Sequence, residues 1–278
     1  MKIILSRKGL DSSINNLSNL LLNEKDLIVI PILEQGGKTK YKDLQLKQLD
    51  NIFNNPSYSK ALSPNTLCHA DPNFTNLFND KNFVGSLGQV DTAQTHLENQ
   101  NVSIGDLFIF FGVFAMGYEK NNKIVIDNML YRKHIMFGYL QVGDIIYPNQ
   151  LTQQQKLEYE IKYPCLVNNP HWNTDLYKSK NNCIYVARNY STFSNKLKGY
   201  GMFKYNKKLV LTKENEIRPS VWDLPKALVG CEMSYHTKDN YKSYGFQSAT
   251  RGQEFVIQDN KIIEKWAIKL IKKYSKRN

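Results

Sequence analysis

Four segments in the middle of the chain have the composition of β-strands, and they restrict the fold more than any other feature. Aromatic and β-branched residues dominate these segments from residue 104 onward, and glycine, asparagine or aspartate bounds them: IGDLFIFFG, KIVID, HIMFGYLQVGDIIY and NCIYVA. Such segments are typical of strands. Because other parts of the chain carry helical patterns, the sequence predicts an α+β fold around a central mixed or antiparallel sheet.

The segments outside this region predict further strands and the helices that flank the sheet. Residues 1–5 and 26–32 are apolar and predict strands. Apolar residues recur at close to a 3.6-residue period over 41–55 and predict a helix. If residues 91–99 are helical as well, Gln89 precedes that helix. Residues 260–276 form a basic C-terminal helix, with apolar residues on one face and a stripe of lysines on the other.

Two of the strand segments contain a related turn. IGDLFIFFG begins with a Gly-Asp turn that leads into a strand, and FGYLQVGDII returns through Gly-Asp to another strand. This layout resembles the PUA-like barrels, including EVE and ASCH domains, in which such a strand pair flanks a base-binding pocket. The resemblance implies that the central sheet is barrel-like.

The charge of the chain favours polyanionic partners. No internal repeat or long linker interrupts the sequence, so we expect one domain over residues 1–278, and its formal net charge is +12. A surplus of this size favours nucleic acid, since each neutralised phosphate releases counterions. Lysine supplies most of the basic residues and asparagine is abundant, a bias typical of AT-rich coding, so a merely soluble surface is the alternative interpretation.

Neither membrane insertion nor secretion is predicted. The longest apolar run, 107–116, is interrupted by Gly112 and is too short to span a bilayer. The N-terminus lacks the apolar region and cleavage site of a signal peptide. The cysteines lie far apart without a CxxC pair, which predicts reduced thiols: Cys68, Cys165, Cys183 and Cys231. We therefore expect a cytoplasmic protein without a membrane partner.

The segment 69–106 concentrates side chains that suit recognition or catalysis: His69, Asp71, Gln89, Asp91, Gln94, His96 and Gln100. Amides offer donors and acceptors together, which suits reading the edge of a nucleobase. The alternative is that several of these residues only cap turns and helices, since HADP is a good turn.

A metal site is a competing interpretation of the same segment. His69 and Asp71 could be ligands together, with His96 or His171 completing the set. However, the sequence lacks HExxH, paired cysteines and the zinc-deaminase motif, so we expect no metal. It also lacks a Walker A loop, GxGxxG and GxSxG, so neither a nucleotide cofactor nor a hydrolase triad is expected.

Polar groups near both ends of the chain add to the candidates. SRKGLDSS places Arg7, Lys8 and Asp11 after the first strand, where they form either the mouth of a site or a turn and a helix cap. ATRGQEFVI places a second polar group beside a strand: Arg251, Gln253 and Glu254. The lysine stripe of the last helix is either an ordinary solvated face or a surface that contacts phosphates.

Long phrases along the chain resemble a known family: MKIILSRKGLDSS, HADP, GQVDTAQTHLENQNVSIGDLFIFFG, HIMFGYLQVGDII, NCIYVA, SVWDLP and RGQEFVI. In this order they are similar to the third class of nucleotide modification associated domains, from Met1 to about Trp266. The family pattern often has GWF and GWLQVG, where this chain has Val113 and Tyr139 in place of the tryptophans. One aromatic side chain that could stack on a base is thus lost and the other is retained as tyrosine.

The resemblance implies a role with hypermodified DNA bases in phage and bacterial loci. Some relatives resemble DNA glycosylases that act on bulky modified cytosines, such as glucosylated hydroxymethylcytosine, in anti-phage defence. We therefore expect an enzyme that hydrolyses the N-glycosidic bond of such a base in double-stranded DNA and leaves abasic sites, without a cofactor or an obligate protein partner. A non-catalytic reader with a PUA-like pocket and a base-modifying enzyme are the alternatives.

This hypothesis assigns a role to each candidate residue. Asp11 and Asp71 are the catalytic carboxylates, with Asp11 slightly preferred, and His69 accompanies them. The base or its substituent would contact Gln89, Gln94, His96, Tyr139, Gln253 and Glu254. DNA phosphates would contact Arg7, Lys8, Arg251, Lys265 and Lys269. The mechanism requires that the N-terminal cluster and the segment 69–106 meet in space.

Overall fold

Two long antiparallel strands form the centre of the sheet. The computed structural model describes residues 1–11, 16–121, 123–127, 131–249 and 252–276. In it, Leu107–Lys120 pairs with Arg132–Ile146, and both strands are buried over most of their shared length, as their apolar runs predict. The register shifts between Phe110 and Phe111, and such a bulge increases the local twist of the ladder.

The described part of the chain contains fifteen strands and four α-helices. The strands are β1 (Ile3–Arg7), β2 (Asn19–Leu22), β3 (Asp26–Ile28), β4 (Ile32–Leu33), β5 (Cys68–His69), β6 (Ser86–Gln89), β7 (Leu107–Lys120), β8 (Lys123–Ile126), β9 (Arg132–Ile146), β10 (Cys183–Ala187), β11 (Tyr200–Met202), β12 (Val221–Trp222), β13 (Tyr241–Lys242), β14 (Gly245–Gln247) and β15 (Glu254–Ile257). The helices are α1 (Leu49–Phe53), α2 (Asp91–Asn99), α3 (Gln153–Lys162) and α4 (Lys261–Tyr274).

The main sheet has ten strands and curls into a half-barrel. Its central order is β15–β1–β7–β9–β10–β6, and β2, β3, β8 and β11 pair with strands of this path or with one another. β1 runs parallel to β7 and antiparallel to β15, so the first and last strands of the chain lie side by side. The predicted α+β fold, with a mixed, barrel-like sheet and flanking helices, is confirmed.

The C-terminal helix α4 has the two faces that the sequence predicts. Asn260 caps it, since its side chain accepts hydrogen bonds from the N–H groups of Ile262 and Ile263. The apolar face is buried and packs near β1: Ile263, Ala267, Leu270 and Ile271. The lysines of the opposite face are exposed, as expected for an amphipathic helix on a protein surface.

Residues 41–55 do not form the single helix that their 3.6-residue period predicts. Tyr41–Asp43 form one 3-10 turn, and α1 begins only at Leu49. Gln48, which precedes α1, has a left-handed backbone with φ of 64°, which no continuous helix contains. The fully buried Tyr41 donates its hydroxyl hydrogen to the carbonyl of Pro31, so tertiary packing overrides the helical pattern here.

The state of the cysteines agrees with a further prediction. All four cysteines are unpaired, as their spacing predicts. Burial raises the pKa of Cys68 to about 12, so this thiol stays protonated at neutral pH. Among the described helices, none combines the length and the apolar composition that crossing a membrane requires.

His134 gives the fold an acid sensitivity that can be measured. Trp222 donates its indole N–H to Nδ1 of His134 at 2.9 Å, and burial lowers the pKa of His134 to about 3. An unfolded histidine titrates near pH 6.5. The unfolded chain therefore binds a proton that the folded chain excludes, and the free energy of unfolding decreases as the pH falls from about 6.5 toward 3.

We expect His134→Gln, whose amide oxygen can still accept from Trp222, to lower the melting temperature less at about pH 4.5 than at about pH 7. Glutamine does not bind a proton in the unfolded chain, so acid pH does not favour unfolding of the variant through residue 134. Thermal unfolding of both proteins at the two pH values measures the effect. An equal loss at both would show that His134 does not cause the acid sensitivity.

Candidate functional site

A cavity of about 740 Å³ opens at the ends of β1 and β6. Arg7 is the last residue of β1, Gln89 is the last of β6, and β15 begins with Glu254 beside them. The β4–β5 ribbon and the segment 171–177 also contribute lining residues. The cavity is thus assembled from segments that lie far apart in the sequence.

The cavity brings together all three predicted catalytic residues and several of the predicted binding residues. Its lining includes Arg7, Lys8, Asp11, His69, Asp71, Gln89 and Gln253. The N-terminal cluster and the segment 69–106 therefore meet in space, as the predicted mechanism requires. Asp11 also forms an isolated antiparallel bridge with Ser18, while residues 12–15, on which a helix cap would depend, lie outside the described residues.

Exposure divides the cavity into two zones. Gln253 is exposed, and Arg7 and Asp11 are half-buried; we call these three residues the rim. Asp71 and His171 are each 3% exposed and His69 is 12% exposed; we call these three residues the floor. A ligand that enters the cavity passes the rim before it reaches the floor.

Asp71 is a buried carboxylate with one oxygen engaged. Its Oδ1 accepts hydrogen bonds from the N–H of Gly88 at 2.7 Å and from Nδ2 of Asn169 at 3.1 Å. Burial raises the pKa of Asp71 to about 6, although nearby His69 and the Gly88 N–H act in the opposite direction. The predicted HADP turn is also present, since the N–H of Asp71 donates to the carbonyl of His69 at 2.8 Å.

His69, on β5, is oriented by the carboxylate of Glu34, which directly follows the paired strand β4. Its Nδ1 lies 2.8 Å from Oε1 of Glu34, and the hydroxyl of Tyr177 donates to the same oxygen through a short hydrogen bond. On the other side of the ring, Nε2 lies 3.9 Å from Oδ2 of Asp71. The imidazole therefore has Glu34 behind it and presents Nε2 to Asp71.

His171 completes the floor from a segment that joins α3 to β10. Its Nδ1 lies 2.7 Å from Oδ1 of Asn182, and its ring stacks on Tyr177 with centroids 4.2 Å apart. Burial lowers the pKa of His171 to about 3, with a smaller effect from His69, so the ring is neutral at physiological pH. Gly88 is required beneath it, since a Cβ there would lie 2.0 Å from Cδ2 of His171.

The three floor residues have the composition and spacing of a metal-binding group. His69, Asp71 and His171 each offer one ligand atom, and these atoms all lie within 4.8 Å of one another. The sequence suggested His69 and Asp71 as ligands, with either His96 or His171 as the third. The structure places His171 beside them. The floor is thus the place in the cavity where a cation could be held.

Glu254 joins three segments behind the cavity. The ammonium of Lys8 lies 2.7 Å from Oε1 of Glu254, and Nε2 of Gln89 donates a short hydrogen bond to the same oxygen. The Glu254 side chain is 1% exposed and that of Lys8 is 10% exposed. Lys8 therefore neutralises a buried carboxylate in the cavity wall, and Glu254 acts from behind Gln89 rather than from the lining.

Two of the predicted base-binding residues on α2 point elsewhere. Asp91, the first residue of α2, lines the cavity. Gln94 is fully buried and accepts a hydrogen bond from the hydroxyl of Tyr185 at 3.0 Å. His96 lies with Nε2 3.0 Å from Oγ of Ser234. Because successive helical residues rotate by about 100°, α2 offers the cavity only its first turn.

The remaining predicted contacts also lie away from the cavity or outside the described residues. Tyr139 is 2% exposed, stacks on Phe203 and donates its hydroxyl hydrogen to the carbonyl of Lys198 at 3.2 Å. Lys265 and Lys269 are exposed on α4 and do not line the cavity. Arg251 lies outside the described residues.

Sequence reasoning missed the residues that orient the floor: Glu34, Gly88, Asn169, Tyr177 and Asn182. Gly88 and Asn182 lie at the first positions of the quoted phrases GQVDTAQ and NCIYVA but were given no role, and Glu34, Asn169 and Tyr177 lie outside the quoted phrases. Their roles depend on contacts across long sequence separations, such as the 143 residues between Glu34 and Tyr177.

The fold and the site define an α+β protein whose half-barrel sheet ends in a polar cavity. The rim of this cavity carries a cation, a carboxylate and an amide, and its floor carries two histidines and a carboxylate. The chain belongs to the family described as nucleotide modification associated domain 3, whose model matches residues 2–258. This range contains every residue that lines the cavity. No curated protein and no solved structure matched the chain. The family connects the protein with modified nucleotides.

The Lys8–Glu254 pair yields a stability prediction. We expect Lys8→Met to lower the free energy of unfolding by about 3–5 kcal/mol, because it leaves a buried carboxylate without its cation. Adding Glu254→Gln should recover most of the loss, since a neutral amide has no charge to desolvate. Denaturant unfolding of the two single variants and the double variant measures the coupling.

Lys162→Met is the matched control. Lys162 also forms an ion pair, with Asp144 at 2.9 Å, but its side chain is 57% exposed. An exposed pair contributes about 0–1 kcal/mol. If Lys8→Met costs no more than Lys162→Met, the Lys8–Glu254 pair does not hold the cavity wall together.

Proposed function

We propose that the protein hydrolyses the N-glycosidic bond of a hypermodified base in double-stranded DNA, for example glucosylated hydroxymethylcytosine, and leaves an abasic site. The observation that carries this proposal is the convergence of Asp11, Asp71 and His69 with amides and cations in one cavity. The membership of the chain in a family connected with modified nucleotides supports it. Against phage DNA that contains such bases, this activity would act as a defence.

The chemistry suits the two carboxylates. Cleavage of an N-glycosidic bond passes through an oxocarbenium-like state, which a carboxylate can stabilise while it activates water. A base that leaves the duplex stack enters a pocket ahead of its sugar, and the sugar stays close to the strand. We therefore assign Asp11, on the rim, to the sugar, and Asp71, on the floor, to the base or its substituent.

The rest of the lining suits a polar base with a bulky substituent. Gln89, oriented by Glu254, and Gln253 offer amide donors and acceptors. Tyr177 adds an aromatic ring that is already packed against His171. A volume of about 740 Å³ lies within the range of about 300–1,000 Å³ typical of ligand pockets. Arg7 on the rim and the net charge of +12 favour contact with DNA phosphates.

The test is to incubate the full chain, without a chelator, with three matched duplexes that carry cytosine, hydroxymethylcytosine or glucosylated hydroxymethylcytosine at one position. We expect strand breaks after alkali treatment only for the modified duplexes, because alkali cleaves at abasic sites. Chromatography of the released base identifies the bond that is broken. Tight binding of modified DNA without base release would contradict the proposal and favour a non-catalytic reader.

Two substitutions assign the carboxylates. We expect Asp11→Asn to lower kcat by at least about 100-fold, since it removes the group that faces the sugar. Asp71→Asn should mainly raise KM for modified DNA, because Asp71 contacts the base or its substituent. Asp50→Asn, exposed on α1, is the control and should leave both constants unchanged. If neither Asp11→Asn nor Asp71→Asn changes base release, the catalytic site lies elsewhere.

A further inference from the structure

We propose that the floor, formed by His69, Asp71 and His171, binds one divalent transition-metal ion. The three ligand atoms lie within 4.8 Å of one another. Ligands about 2.1 Å from a shared ion lie roughly 3.0–3.5 Å apart, so small side-chain rotations bring this set into contact with an ion. Two imidazoles with one carboxylate suit zinc, iron or cobalt better than magnesium or calcium. This revises the expectation from the sequence that no metal is bound.

The hydrogen bonds behind the two histidines direct the correct nitrogens into the floor. Oxygen acceptors lie close to Nδ1 of each ring, Glu34 at 2.8 Å from His69 and Asn182 at 2.7 Å from His171. Each Nδ1 therefore carries a hydrogen and donates it, which leaves the lone pair on Nε2. A carboxylate or carbonyl behind Nδ1 is the usual arrangement around a metal-binding histidine, where it orients the ring.

Asp71 is held in the same way. Its Oδ1 is engaged by the Gly88 N–H and by Asn169, and its Oδ2 is turned toward Nε2 of His69. The 3.9 Å between these two atoms is too long for a hydrogen bond. The side chains of His69 and Asp71 are 12% and 3% exposed, so the two polar atoms face each other across a narrow gap at the floor of the cavity. A cation bound in this gap would satisfy both atoms.

The coordination would be incomplete, because the protein supplies three ligands and all three line the cavity. Metal sites with three protein ligands and an open position are typical of catalysis and of substrate binding, whereas structural zinc sites use four. The open position would bind water or an oxygen atom of a ligand in the cavity. The binding of a modified base's substituent at this open position rests on the proposed function, whereas the binding of the metal ion does not.

Direct metal binding tests the site. The full chain is stripped with EDTA, exchanged into buffer without chelator and titrated with Zn²⁺ by calorimetry, and Co²⁺ serves as a spectroscopic probe of nitrogen and oxygen ligation. We expect about one equivalent of either ion at about 10 μM free metal, and a higher melting temperature in its presence. Binding of no ion at this concentration would overturn the proposal.

Variants separate this site from other metal-binding groups on the chain. His171→Gln and Asp71→Asn should abolish the binding, whereas His96→Gln, which changes a histidine outside the floor, should retain it. Circular dichroism verifies that each variant is folded. Because His171→Gln can disturb packing against Gly88, Glu34→Gln provides a milder test: we expect 10–100-fold weaker binding with unchanged stoichiometry. Unchanged affinity in His171→Gln, Asp71→Asn and Glu34→Gln would place the ion elsewhere.

The outcome is independent of the base-release assay. Bound metal without base release would leave this site standing and refute the glycosylase activity. Base release at an unchanged rate in EDTA, with no ion bound by the stripped protein, would support the glycosylase activity and refute the metal site.

Discussion

The buried carboxylate of Glu254 is the constraint on which the cavity depends. A carboxylate that is 1% exposed is costly unless a cation and hydrogen-bond donors accompany it. Lys8, which directly follows β1, and Gln89, the last residue of β6, supply these groups from positions 246 and 165 residues away. Both residues also line the cavity. Glu254 belongs to β15 and Gln89 to β6, the two end strands of the central path of the sheet. The interaction therefore links these end strands and positions two residues of the cavity lining.

Hydrogen bonds from neighbouring side chains orient the three floor residues. Glu34, Asn169 and Asn182 contact His69, Asp71 and His171, respectively, and each contact engages one polar atom of the floor residue and leaves the other for the floor. The rim, by contrast, is more exposed. This difference is suited to a site that must hold its reacting groups rigidly while it admits a large, charged ligand. It also explains why we assign separate roles to Asp11 and Asp71.

Local patterns predicted many elements of the fold and part of the site. The strand segments from residue 104 onward and the helix at 260–276 are present, because continuous apolar runs and amphipathic periods demand these structures in most environments. Residues 41–55 deviate because the burial of Tyr41 outweighs a weak helical preference. Gln94 and Tyr139 have suitable chemistry, but helix rotation and core packing turn them away from the cavity.

The sequence by itself determined the α+β class, the family, the basic charge and the residue types that carry the chemistry, since composition, periodicity and long shared phrases are local properties. Only the tertiary structure decided which of these residues meet. The convergence of Asp11, Asp71 and Gln253 depends on β1 lying between β7 and β15, a pairing of strands from opposite ends of the chain. His171 joins the floor because Gly88 leaves room for its ring, and such a packing relation has no signature in the sequence.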